Sequence, residues 1–257
     1  MADFIQTELS NQILTVRINR PERKNALTHA MYTALGDALE QAEADTDIRC
    51  VLFSGSQDCF TAGNDLGDFA SGLQGAFTET PVGRFLLLLA KATKPVVVSV
   101  NGPAVGVGTT MLLHCDMVFA GSNARFQMPF ASLGLCPEGG SSLLLPTWLG
   151  RVRAAELLML GGAFSAEDAY RMGLINRICD PAETDNVARE ACQKLASQPP
   201  AAIRATKKLL GSPTQEALTA TMMAEGELFA ERLKSPEAAE AFSAFMQKRK
   251  PDFSRFK

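Results

Sequence analysis

Val96-Val97-Val98-Ser99-Val100-Asn101-Gly102-Pro103-Ala104-Val105-Gly106-Val107-Gly108 runs from an apolar segment into a glycine-rich turn. Its first residues form a short apolar run of buried-strand length, glycines punctuate the turn that follows, and a helix is predicted over residues 108–115. The same alternation continues on both sides. Upstream, residues 4–9 and 13–18 alternate apolar and polar side chains around Ser10-Asn11, which predicts a hairpin. Thr28 is placed to cap a helix whose Met31, Leu35, Ala38 and Ala42 share one face. Residues 50–53 read as a buried strand stopping at Ser54-Gly55, and residues 83–93 as a second helix. Downstream, residues 117–120 read as another strand. Strands alternating with helices predict an α/β fold with much of its sheet buried.

From about Ser141 the pattern becomes almost wholly helical. Ser165 with Asp168 forms a capping box, and Ser235 precedes Pro236 as a cap before a proline at the first helical position. The last sixty or so residues carry apolar stripes but no strands to cover, so they are expected to pack on the core or on a neighbouring subunit. Residues 67–83 read as the mobile loop.

The chain has 257 residues, 46% of them apolar and 21% charged, enough to bury a sizeable core in one large domain or two small ones. No apolar run approaches the roughly 18 residues of a membrane span. The opening residues lack the apolar region of a secretory signal, and the ending does not match the peroxisomal tripeptide, so a cytoplasmic location is expected. With 25 basic against 28 acidic residues, the charge argues against a nucleic-acid partner. The six cysteines have no C-x-x-C spacing, and the two histidines, His29 and His114, lack an acid-rich cluster. No metal is expected, and both histidines are read as core or capping residues.

Neither a phosphate-binding G-x-x-x-x-G-K-[ST] loop nor a G-x-S-x-G elbow occurs. Gly106 and Gly108 begin a dinucleotide fingerprint, but Met111 occupies the place of its third glycine. Three segments remain: Phe60-Thr61-Ala62-Gly63-Asn64-Asp65-Leu66, residues 101–108, and Gly134-Leu135-Cys136-Pro137-Glu138-Gly139-Gly140-Ser141. Each sets glycine where a strand gives way to a helix, so the backbone turns tightly and approaches a ligand closely. The first N–H groups of a helix lack intrahelical partners and carry partial positive charge. Two such turns facing one point would make an oxyanion hole.

In order and spacing these segments resemble the enoyl-CoA hydratase/isomerase (crotonase) superfamily. The resemblance spans essentially the whole chain. It begins at Asn19-Arg20-Pro21 and Asn25-Ala26-Leu27, includes Ala163-Phe164-Ser165-Ala166 and Gly173-Leu174-Ile175, and closes over residues 245–253. It implies a ClpP-like core of repeated ββα turns over residues 1–195. Residues 196–257 would then be a helical region that builds trimers or dimers of trimers and covers the CoA pocket. It also implies an acyl-CoA thioester as ligand, with coenzyme A part of the substrate and no separate cofactor. By position, the thioester oxygen falls to the N–H groups of Asn64 and Val107, within the Ala62-Gly63 and Gly106 turns.

Hydratases of the family carry two catalytic glutamates, at positions matched here by Thr110 and Phe130. Neither residue is a base at neutral pH, so ordinary enoyl-CoA hydration is expected to be weak or absent. Glu138 instead matches the single catalytic glutamate of the Δ3,Δ2-enoyl-CoA isomerase branch, which the wording around Asn64 and Gly106 also resembles. One carboxylate suffices to move a proton from C2 to C4 through a dienolate. Burial would raise its pKa and a helix N-terminus would lower it. Asp65 is read as fixing the first turn or capping a helix. Arg23 and Lys24, and Phe245 and Lys248 from a neighbouring subunit, match positions that meet CoA, or are ordinary surface. The last two are expected on one helix face. Leu66, Phe69 and Phe130 line the acyl pocket or belong to the core. Epoxide or ring isomerisation, thioester hydrolysis and non-catalytic acyl-CoA binding are the alternatives.

Overall fold

The computed structural model describes residues 4–56, 58–69, 76–211 and 213–256, apart from the side chains of Leu66 and Phe69. Strands β1 (Ile5–Ser10) and β2 (Ile13–Ile18) form the predicted hairpin, turning through Asn11 and Gln12 at φ 52° and 64°. Two central residues at positive φ match the twist of the paired strands. Helix α1 (His29–Ala44) starts where Thr28 Oγ1 accepts the Met31 N–H at 3.3 Å. β3 (Cys50–Ser54), α2 (Leu66–Phe69), α3 (Pro81–Ala90), β4 (Val96–Val100), β5 (Pro103–Val105) and α4 (Val107–Thr110) follow, and the chain tightens into a 3₁₀ turn over Met111–His114. Then come β6 (Met117–Gly121), β7 (Arg125–Gln127), α5 (Ser141–Leu149), α6 (Arg151–Ala155), β8 (Phe164–Ser165), α7 (Ala166–Arg171), β9 (Arg177–Cys179) and α8 (Thr184–Ala196). Helices α9 (Pro200–Gly211), α10 (Gln215–Leu233) and α11 (Pro236–Met246) complete the chain.

A six-stranded sheet runs in the order β1-β2-β3-β4-β6-β9, parallel except for the β1/β2 hairpin. Every residue of β3 and β4 is buried, as their apolar runs require. Successive side chains point to opposite faces. Val51, Phe53, Val96 and Val98 therefore enter the main core with α1 and α3, while Cys50, Leu52 and Val97 meet Ala188, Cys192 and Ala196 of α8. A second sheet, β5-β7-β8, stands beside the first.

The structure adds four strands to those expected, β5, β7, β8 and β9. Each has at most three residues, too few to display alternation. The second helix starts at Pro81 rather than residue 83, because Thr80 Oγ1 accepts the Gly83 N–H at 3.1 Å and caps it. The loop expected over residues 67–83 is thus shorter. It holds α2, a 3₁₀ turn over Phe77–Glu79 and the start of α3, and residues 70–75 lie outside the described residues. Helix α10 packs closely on that 3₁₀ turn: a Cβ at Gly226 would fall 2.4 Å from the Phe77 ring. Among the described residues no helix is long and apolar enough to cross a membrane, and no group of three His, Cys, Asp or Glu is gathered to hold a metal.

Candidate active site

Two turns leave neighbouring parallel strands and run side by side. The N–H groups of Phe60 and Thr61 both donate to Pro103 O, at 3.1 and 3.0 Å, and Val105 N–H donates to Thr61 O at 3.0 Å. Thr61 and Ala104 are bridged in parallel. Asn64 and Val107 each lie three positions beyond that bridge, so equal steps along paired chains bring them to the same level. Glycine makes the contact possible. Gly63 has φ 90°, and a Cβ there would sit 2.9 Å from Val105 O. Leu27 holds the first turn from its other side, donating to Gly63 O at 2.8 Å and accepting from Asp65 N–H at 2.9 Å. Among the described residues the N–H groups of Asn64 and Val107 have no acceptor, and Val107 opens α4, where unsatisfied donors are expected.

Glu138 stands on the third glycine turn, 9% exposed. Its carboxylate accepts the Thr110 hydroxyl from α4, the helix that also presents Val107. Burial pushes the Glu138 pKa up to about 7, the Thr110 hydrogen bond opposes this, and the charge of Glu225 adds to it. The backbone of the turn is held on every side. Ser141 Oγ donates to Glu138 O at 2.7 Å, and His114 Nε2 lies 2.7 Å from Gly139 O. Burial depresses His114 to a pKa of about 4, so its ring is neutral at pH 7 and donates to that carbonyl. Glu225 accepts the N–H groups of Gly140 at 2.6 Å and Ser142 at 2.9 Å.

Of the other expected site residues, Phe130 is buried, packing edge-to-face on Phe229 of α10 at 6.2 Å. A methyl group at Gly106 would meet it at 3.9 Å, so Phe130 belongs both to the core and to the wall beside the second turn. Asp65 fixes the turn and caps α2 at once. It accepts from Arg20 at 2.7 Å and from the Gly67 N–H at 3.0 Å, and the Arg20 hydrogen bond holds its pKa low. Arg23 and Lys24 are exposed at the rim of the first turn, where Lys24 O accepts the Ala62 N–H at 2.9 Å. The side chains of Leu66 and Phe69 lie outside the described residues. Phe245 is exposed near the end of α11, but the shared helix face expected for Lys248 is not formed. The helix stops at Met246, and Lys248 takes a left-handed φ of 53°.

Three participants escape a reading of the sequence. Tyr32, 2% exposed, donates its hydroxyl to Asn64 Oδ1, and burial and the nearby Glu138 raise its pKa. It sits next to Met31 in the apolar stripe of α1, so it reads as core. A narrow cleft beside Tyr32 and Asn64 is lined by Leu27, His29 and Val82. Thr110 signals only the loss of a carboxylate, not the hydroxyl that binds Glu138. Glu225 meets its partners across 85 residues of sequence, a distance no local pattern encodes.

The enoyl-CoA hydratase/isomerase family profile matches residues 8–255. The 1,2-epoxyphenylacetyl-CoA isomerase of Escherichia coli K12 is 35% identical over 260 residues, covering 99% of both chains. Enoyl-CoA delta isomerase 2 of Rattus norvegicus is 34% identical over 93% of this chain and 62% of its own length. The crystal structure of an enoyl-CoA hydratase/isomerase from Pseudoalteromonas atlantica T6c superposes with a TM-score of 0.93 at 42% identity, covering 98% of this chain and all of that one. Sequence and architecture agree over the full length, and the mixed α/β fold is the crotonase fold. The chain belongs to the enoyl-CoA hydratase/isomerase family.

Proposed function

We propose that the protein is a Δ3,Δ2-enoyl-CoA isomerase in which Glu138 is the single proton carrier. The observation that carries this reading is one buried carboxylate, beside a hydroxyl on α4, next to two unused main-chain donors. The thioester oxygen of a 3-enoyl-CoA accepts from the N–H groups of Asn64 and Val107. Glu138 takes a proton from C2, and the electron pair delocalises through the carbonyl onto that oxygen and through the double bond to C4 as a dienolate. The protonated Glu138 then returns the proton at C4, leaving a 2-enoyl-CoA and the carboxylate regenerated. Losing one comparable oxyanion donor costs about 2.7–4 kcal/mol. A base with a pKa of about 7 is well matched to proton abstraction near neutrality.

Thr110 and Phe130 at the positions of the hydratase glutamates support isomerisation over hydration, because no second carboxylate is available there to activate water. Arg23 and Lys24, with Phe245 and Lys248 from a neighbouring subunit, would receive the CoA phosphates and adenine, and Phe130 would line the acyl pocket. In this reading residues 196–257 form the oligomerisation region and pocket cover of a homotrimer or dimer of trimers, acting in the cytoplasm on fatty or related acyl-CoAs. The full-length similarity to a 1,2-epoxyphenylacetyl-CoA isomerase favours one second reading, epoxide isomerisation on the same oxyanion hole.

The purified protein should convert 3-hexenoyl-CoA to the conjugated thioester, followed by its absorbance, and Glu138→Gln should abolish this. Turnover of 1,2-epoxyphenylacetyl-CoA without turnover of 3-hexenoyl-CoA would establish the second reading. Equal turnover by wild type and Glu138→Gln would overturn the proton-carrier role.

A further inference from the structure

We propose that Glu225 is a positioning residue that holds the Glu138 turn from α10, so that the helical C-terminal region takes a direct part in placing the base. This deepens the isomerase reading and rests on it. Gly139 and Gly140, which follow Glu138, both have positive φ, 64° and 73°, and Gly140 at the start of α5 has no side chain with which to cap it. Glu225, 7% exposed, supplies that cap from 85 residues away, binding the Gly140 N–H with one carboxylate oxygen and the Ser142 N–H with the other. Two charge-assisted bonds from one carboxylate fix both the position and the rotation of the turn. A Cβ at Gly140 would come within 2.3 Å of Leu218, so α10 also leaves the turn no room to move toward it.

The same geometry sets a second effect. The groups facing Glu138 are Tyr32 from α1, the Thr110 hydroxyl from α4, Cys136 on its own loop, Glu225 from α10 and the neutral His114 behind Gly139. Arg232, also on α10, is turned to Gly134 O and Glu237. Burial raises the pKa of Glu225, against which the bonds from Ser142 and Gly140 act, and in its ionised form Glu225 makes the Glu138 carboxylate a stronger base by repulsion.

Two variants separate placement from charge. Glu225→Gln removes the charge and keeps one of the two oxygen acceptors. With [13C]glutamate-labelled protein, and Glu138→Gln to assign the resonance, the Glu138 carboxyl midpoint should move to lower pH by about half a unit or more. That titration needs no substrate, so it stands whether or not 3-hexenoyl-CoA is turned over. Glu225→Asp keeps the charge but shortens the reach by one methylene. It should leave the midpoint near the wild-type value and lower kcat on 3-hexenoyl-CoA by about fivefold or more with KM little changed. An unmoved Glu138 midpoint in Glu225→Gln would overturn the charge effect. Wild-type kcat in Glu225→Asp would overturn the placement, and it decides the question even if Glu225→Gln fails to fold.

Discussion

The turn carrying Glu138 and the C-terminal fold-back around Glu240 leave their glutamates almost equally little exposed, at 9% and 7%, but Glu138 lies deep in the core and Glu240 just beneath the surface, and they are treated in opposite ways. Glu240 on α11 accepts from Arg249 at 2.5 and 3.1 Å, from Arg255 at 2.8 Å and from the Asp252 N–H at 2.9 Å. The Arg249 hydrogen bonds, first among these, pull its pKa down to about 2. Glu138 receives one neutral hydroxyl and a like charge nearby, and its pKa rises to about 7. Glu240 is locked as an anion and ties residues 249–255 to α11. Glu138 is left under-compensated, as the proton carrier proposed above requires. Glu225 stands between them, buried like both but satisfied by two backbone donors rather than by cations.

The largest difference between the two regions should appear in turnover. Glu138→Gln is expected to lower kcat/KM on 3-hexenoyl-CoA by about 10²–10⁴, and Glu240→Gln by less than about threefold. A comparable loss in both would dissolve the contrast.

Stability should move in opposite directions. The native state holds the Glu138 proton more tightly than the unfolded chain does. The stability this group lends is therefore present below pH about 4 and lost as pH rises through about 7. Glu138→Gln should then be more stable than wild type by about 1–3 kcal/mol near pH 8 in denaturant titrations, with the gain fading toward pH 5. Glu240 has the reverse sign, because its native pKa is depressed. Its stabilisation is present above pH about 4.5 and lost as pH falls toward about 2, so Glu240→Gln should be less stable at neutral pH and converge on wild type in acid.

Within the site, the smallest expected loss of rate is at Tyr32. Tyr32→Phe leaves Asn64 Oδ1 without its donor and should reduce kcat/KM by about threefold to tenfold, in keeping with about 1 kcal/mol for one hydrogen bond. An unchanged rate would mean that the Asn64 side chain does not help to hold its own N–H.

Much of the fold, and one side of this contrast, is legible in the sequence. The strands over residues 50–53 and 96–100, the Thr28 cap and the Ser165–Asp168 box are local, since apolar runs and side-chain caps involve residues only a few positions apart. Glu138 is legible from its setting among glycines and from the resemblance of that wording. Tyr32 and Glu225 are not, because the first hides in a helical stripe and the second binds a turn 85 residues away. The strands β5 and β7 were missed for a related reason. Three residues carry no period, yet their pairing with one another and with Thr61 is what sets Asn64 beside Val107. The helix expected to carry Phe245 and Lys248 together stops between them, an end that no glycine or proline at that point announces in the sequence.

The most direct test of the account is the pH dependence of kcat/KM for 3-hexenoyl-CoA between about pH 5 and 9. A buried, under-compensated Glu138 predicts a rate that climbs about tenfold per unit below a single ionisation near pH 7 and levels off above it. A rate that is flat down to about pH 5 would mean that the base is an ordinary solvated carboxylate or another group, and would contradict the central role given to this one buried glutamate.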